Sequence, residues 1–171
     1  MERISKVNLN TASEDVKKAA EEHVAQGYRI TNQKLTLLHN VTAFQALENQ
    51  SYAVDRELAR LVGKRAADFF EYAISLENDC LVCSTYFAKL LRQNGIEDFE
   101  HFDFTEEEKL LIEYGRTIAQ NPKGVSDDLF QRLQAVFDEE TLVVATTMGV
   151  FMIANNAFND ILQVQPESLD E

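Results

Sequence analysis

Asp68-Phe-Phe-Glu71-Tyr-Ala-Ile-Ser-Leu-Glu77-Asn-Asp79-Cys80-Leu-Val-Cys83-Ser-Thr-Tyr86-Phe87 is the stretch from which the fold is read. Its first half continues a helical apolar pattern that begins at Leu58 and runs through Val62, Ala66, Phe69, Ala73 and Leu76, with Arg56, Arg60, Lys64 and Asp68 in between. Asp55 to about Leu76 is therefore predicted as one long amphipathic helix. The polar run Glu77-Asn-Asp79 interrupts it and offers cap residues for another helix, whose stripe is Cys80, Cys83, Phe87 and Leu90 or Leu91 and whose end is Asn94-Gly95.

The same grammar extends in both directions. Thr11-Ala-Ser-Glu14 has capping-box spacing and predicts a helix from there to Gln26, stopped by Gly27. Leu35, Leu38, Val41 and Phe44 predict one or two short helices between Thr31 and Glu48, jointed near Asn40. Downstream, Thr105-Glu-Glu-Glu108 reads as a second capping box ahead of Leu110, Leu111, Tyr114 and Ile118, and Asn121-Pro122 ends that helix. Ser126 caps Leu129 to Phe137, and Asp138 to Leu162 is expected as a long, largely buried closing helix, followed by a frayed acidic tail from Gln165 to Glu171. With 6 Gly, 2 Pro and no Trp there are few turn-makers for a sandwich or barrel, so the expectation is an all-α bundle forming one domain over residues 1–171.

Charge narrows the function. Twenty-nine acidic against 16 basic residues leave a net −13, which repels phosphate backbones and anionic lipid headgroups and makes nucleic acid and membrane surfaces poor partners. The most apolar stretch, Leu142 to Ala154, is shorter than the roughly 20 residues a bilayer span needs. The opening MERISKVNLN lacks the apolar centre of a secretory signal, so a cytoplasmic location is expected.

The two cysteines are placed together, as chemistry requires and as a secreted disulfide framework does not. At a helix start, peptide N–H groups and the helix dipole favour a thiolate, and the Cys-x-x-Cys spacing lets the sulfurs join and separate with little backbone movement. Glu77 and Asp79 oppose part of that effect. Taken alone, the motif is read as a redox pair, as two buried apolar residues, or as half of a zinc site; zinc would need further ligands, and His23, His39 and His101 have no ligand spacing.

The segment Asp68-x11-Cys80-x-x-Cys83-x3-Phe87 resembles the core of the carboxymuconolactone decarboxylase and alkylhydroperoxidase D family, whose pattern is Glu-x11-Cys-x-x-Cys-x3-His. Leu35-Thr-Leu-Leu-His39-Asn with Phe44 is similar to the family's leading helices, and Phe104 through Phe158, with Asn155-Asn156-Ala-Phe158, to its trailing ones, so that residues 25–162 are covered. The resemblance implies an orthogonal helical bundle of about six to eight helices, assembling through helix faces into trimers or hexamers. It implies a peroxidase in which Cys83 attacks a small hydroperoxide, Cys80 resolves the sulfenic acid into a disulfide, and a dithiol protein or small thiol restores the pair. Asp68 then stands where the family has the glutamate of its proton relay. No cofactor or metal is implied.

Two departures bear on activity. Phe87 replaces the family's histidine and carries no proton, and Asp68 is one methylene shorter than glutamate. Loss of positioned acid–base catalysis typically costs about 10²–10⁴-fold in rate. Among substitutes, His39 is expected to be structural, His101 solvated, Tyr86 a poor base, and Glu71 an exposed helical acid. Phe69-Phe70 and Phe151-Met152 are expected in the core or at subunit contacts. The readings, in order, are a thiol peroxidase or dithiol oxidoreductase, a degenerate family member acting as an oligomeric binding protein, and a carboxymuconolactone-type lyase.

Overall fold

The computed structural model describes residues 2–167, and among them it has eight α-helices and no strand. They are α1 (Glu14–Ala25), α2 (Asn32–Leu37), α3 (Val41–Val62), α4 (Lys64–Glu77), α5 (Leu81–Gln93), α6 (Glu106–Gln120), α7 (Asp127–Val136) and α8 (Glu139–Leu162), with a 3-10 turn at Pro122–Gly124.

Helix α4 is the hub, packed by α3, α5, α6 and α8. Packed by four helices, it buries nine of its residues, Phe69, Phe70, Ala67, Ala73 and Ile74 completely, and exposes Lys64 and Arg65 at its start. Fully burying one such phenylalanine is worth about 1.5–3 kcal/mol. Arg65 pairs with Glu108 at 2.7 Å and Gln120 bonds Glu77 at 2.9 Å, so α4 and α6 run parallel. They approach closely because α6 carries Gly115, where a Cβ would lie 3.1 Å from the Phe70 carbonyl oxygen. Ser51 with Asn155 and Arg60 with Glu140 show that α3 and α8 run antiparallel.

The caps at Asn40, Thr105, Ser126 and Asp138 all form, the one at Thr105 as a full capping box. Four expectations change. The helix expected from Asp55 to Leu76 is two helices, because Gly63 adopts φ 86° and ψ 146°, a conformation essentially reserved for glycine, and α3 instead runs back to Val41. Thr11 does not cap α1; Ser13 is the N-cap residue and its hydroxyl bonds Asp15. Helix α8 is apolar but only partly buried, with Val143, Val150 and Ile161 open to solvent. The start of the tail is not frayed: the Asn32 side chain donates to the carbonyls of Gln165 and Pro166 at 3.1 and 3.2 Å. The rest of that tail, 168–171, lies outside the described residues.

Candidate active site

The α4–α5 corner builds the thiol site. Asp79 takes a left-handed φ of 53°, turning the chain so that Cys80 N–H donates to Ser75 O at 3.1 Å. Cys80, rather than Asn78 or Asp79, is then the N-cap of α5: its Sγ accepts the Cys83 N–H at 3.4 Å. A sulfur in this position receives a peptide donor and the positive end of the helix dipole together.

Helix α8 completes the site. The Asn159 side chain, 1% exposed, directs Nδ2 to Cys83 Sγ at 3.3 Å and toward Cys80 Sγ at 3.9 Å, so one amide spans both sulfurs. Cys80 is wholly buried, whereas Cys83 is partly exposed, and both are free thiols. The two thiols shift in opposite directions. The hydrogen bond from Cys83 lowers the pKa of Cys80 against the effect of burial, with the Cys83 N–H and Asn159 helping. Cys83, donating that bond and largely desolvated beside Cys80, is held well above the ordinary thiol value, and Asn159 and Lys34 work against the rise.

Lys34 belongs to a buried polar network beside the thiols. It pairs with the buried Glu48 at 3.0 Å and donates to Gln33 Oε1 at 2.9 Å; Gln33 in turn donates to Asn155 Oδ1 at 2.9 Å, one turn before Asn159 on α8. The Tyr52 hydroxyl, raised far above its usual pKa by burial and by Glu48, stays protonated there. His23 lies among the rings of Tyr28, Phe44 and Tyr52 and is kept neutral mainly by burial.

Of the residues expected from the sequence, Cys80 and Cys83 come together. Asp68 is buried on α4 with Lys64 as its ion-pair partner; burial raises its pKa and Lys64 limits the rise. The side-chain donor to the sulfurs is Asn159. Phe87 packs into the core, 5% exposed. His39 binds the Ser5 carbonyl at 2.7 Å, His101 pairs with Asp98 in solvent, and Tyr86 faces outward. Glu71 corrects an expectation, for it is buried rather than exposed, next to Asp55. Among the described residues, no three His, Cys, Asp or Glu side chains group as metal ligands. A cleft of about 470 Å³ lined by Glu77, Phe99, Glu100, Ile112 and Arg116 contains neither cysteine.

Asn159, Lys34 and Glu48 were not singled out from the sequence. The one available signal was polar residues at helical spacing inside an apolar helix, Asn155, Asn156 and Asn159.

No family model matches the chain, and no curated protein matches it. Among solved structures, the fold is shared with an uncharacterized peroxidase-related protein of Ralstonia eutropha JMP134, described as an alkylhydroperoxidase AhpD core. The TM-score is 0.75 at 18% identity, over 98% of this chain and 93% of that one. An uncharacterized peroxidase-related protein of Silicibacter sp. TM1040 also has TM-score 0.75, at 12% identity over 96% and 92% of the two chains. The fold is thus of the alkylhydroperoxidase D type, in agreement with the resemblance carried by the cysteine motif.

Proposed function

We propose that this protein is a thiol-dependent peroxidase or dithiol oxidoreductase that cycles between the Cys80/Cys83 dithiol and disulfide. The observation that carries this reading is one buried amide, Asn159, directed at both sulfurs where a helix begins, with one sulfur partly open to solvent. Such a pair supports attack by one thiol on a hydroperoxide and capture of the resulting sulfenic acid by the other. The partners are a small hydroperoxide and a dithiol reductant, and a reducing cytoplasm would return the pair to its starting state. Asn159 and the Lys34–Glu48 pair supply part of the electrostatic support that Phe87 does not; neither restores a histidine's proton transfer.

The direct experiment mixes reduced protein with hydrogen peroxide and counts thiols. Loss of two thiols per chain, reversed by a dithiol, is expected; retention of both thiols defeats the enzyme reading. It would favour the second reading, an oligomeric binding protein on the same scaffold, which the burial of Phe87 in the core supports.

The expected homo-oligomer, a trimer or hexamer, draws support from α8. Val143, Val150 and Ile161 are 65%, 58% and 62% exposed, and with Thr147, Ala154 and Ala157 they follow the alternating three- and four-residue spacing of a helix-packing seam. Val150→Glu is expected to shift sedimentation toward the monomer. A wild-type chain that sediments as a monomer at micromolar concentration removes the assembly.

A further inference from the structure

Buried polar groups rarely go without partners, and those that do call for an explanation. Among the described residues, Asn156 on α8 is 0% exposed and neither its Nδ2 nor its Oδ1 has a hydrogen-bond partner. Asn159, one turn later on the same buried face, spends Nδ2 on the sulfurs and leaves Oδ1 unpartnered. Side chains three apart on a helix are neighbours, with Cβ atoms about 5–6 Å apart. One donor and two acceptors therefore lie without partners on the buried face of α8 that reaches the thiols through Asn159, a face that also carries the core residue Met152.

That set matches the terminal –O–O–H group, which offers one donor hydrogen and accepts at either oxygen. Resting on the peroxidase reading above, we infer that Asn156 and Asn159 form the cradle that holds a small hydroperoxide, of the size of hydrogen peroxide, against Cys83. The hydroperoxide O–H donates to an amide oxygen, and Asn156 Nδ2 donates to the oxygen that will leave. The Cys83 thiolate attacks the terminal oxygen. The S–O bond forms as the O–O bond breaks, and the electron pair departs with the leaving oxygen, which takes a proton from water. Cys80 then attacks Cys83 Sγ: the S–S bond forms, the S–O bond breaks, and the expelled hydroxide takes the Cys80 proton and leaves as water. Two electrons pass from the sulfurs to the peroxide. Both amides are buried, so a hydroperoxide reaches them only past the partly exposed Cys83, an approach that favours a small substrate over one with a bulky alkyl group.

The test measures two rates on the reduced full-length protein: thiol oxidation by hydrogen peroxide and thiol alkylation by iodoacetamide. Asn156→Leu, with the same branching and number of side-chain heavy atoms but none of them polar, is expected to lower the peroxide rate by about 10²- to 10³-fold, the scale of losing a donor to a developing oxyanion. The alkylation rate should stay within about twofold of wild type, since Asn156 has no hydrogen bond to either sulfur. Asn156→Ala, which also removes both polar atoms, provides the same comparison if the leucine variant does not fold. Wild type should also react about tenfold faster with hydrogen peroxide than with cumene hydroperoxide. An active wild type whose variants keep their peroxide rate, or lose both rates equally, overturns the cradle alone. A preference for cumene hydroperoxide overturns the size selection. A wild type inert to both peroxides removes the peroxidase reading and the cradle with it.

Discussion

Cys83→Ser abolishes turnover with hydroperoxide and dithiol, a loss of about 10³-fold or more, whereas Cys80→Ser still consumes one thiol and stops at the sulfenic acid. The asymmetry follows from access set against charge. Cys80 is the better-stabilised sulfur, with a peptide N–H, the Cys83 thiol and Asn159 around it, so the first negative charge of the pair resides there. It is also completely buried, so an oxidant arriving from solvent meets Cys83 first. Cys83 is the exposed partner, and the shared proton lets charge pass to it when Cys80 takes the hydrogen. The two variants separate these effects. Without Cys80, the hydrogen bond and charge that do most to hold Cys83 above the ordinary thiol value are gone and only burial still raises it, while Asn159 and Lys34 favour its thiolate. Alkylation of Cys80→Ser should therefore titrate at lower pH than that of Cys83 in the wild type. Mass spectrometry of peroxide-treated variants reads the roles directly: an added oxygen on Cys83 in Cys80→Ser supports the assignment, and oxidation of Cys80 in Cys83→Ser with none in the other variant exchanges the roles.

Where the sequence was legible, a local rule decided the outcome. Thr105 and Glu108 satisfy each other's backbone donors over three residues, Ser126 and Asp138 do so singly, and Asn94-Gly95 ends α5 with Gly95 at φ 79°. The cysteine motif belongs to the same class, since its chemistry depends on one helical turn. Gly63 was not legible because the apolar period runs through it unbroken: α3 and α4 both turn an apolar stripe inward, and an isolated glycine in such a pattern reads as a tolerated helical residue. The cap at Cys80 was hidden by the more usual cap residues beside it, Asn78 and Asp79, which the left-handed turn at Asp79 moves out of position.

The partners of the sulfurs were illegible for a different reason. Asn159 lies 76 residues beyond Cys83, and Lys34 belongs to a helix before α3, so only the packing of α2 on α3, of α3 on α8 and of α8 on α5 relates them to the thiols. Nor does their residue type announce them, because a lysine and a glutamate in amphipathic helices are ordinarily solvated. The buried position of Glu71 has the same origin: packed by four helices, α4 buries even polar residues beyond its first turn.

That enclosure has a thermodynamic signature. Burial, then the neighbouring Asp55, raises the Glu71 pKa well above the usual carboxylate value, with Lys64 opposing and Asp68 adding to the rise, and its Oε1 and Asp55 Oδ1 both lack hydrogen-bond partners. The folded state therefore keeps a proton that the unfolded chain releases near the ordinary value of 4.5. Stability contributed by the protonated side chain is complete below that pH and declines as pH rises from there toward the folded-state pKa. Asp68, also raised, adds a decline of the same sign. Glu71→Gln removes the larger contribution, because its amide keeps the shape, carries no ionisable proton, and can donate to Asp55 Oδ1, whose other neighbour is the Lys64 ammonium at 3.8 Å. The variant should be more stable than wild type at pH 8 by about 1–3 kcal/mol, the usual cost of an unsatisfied buried polar group, and should differ little at pH 4. Urea unfolding at the two pH values checks this. An equal gain at both would assign the effect to hydrogen bonding alone, and a loss at pH 8 would mean that the ionised carboxylate is stabilised inside the bundle, contrary to the burial described here.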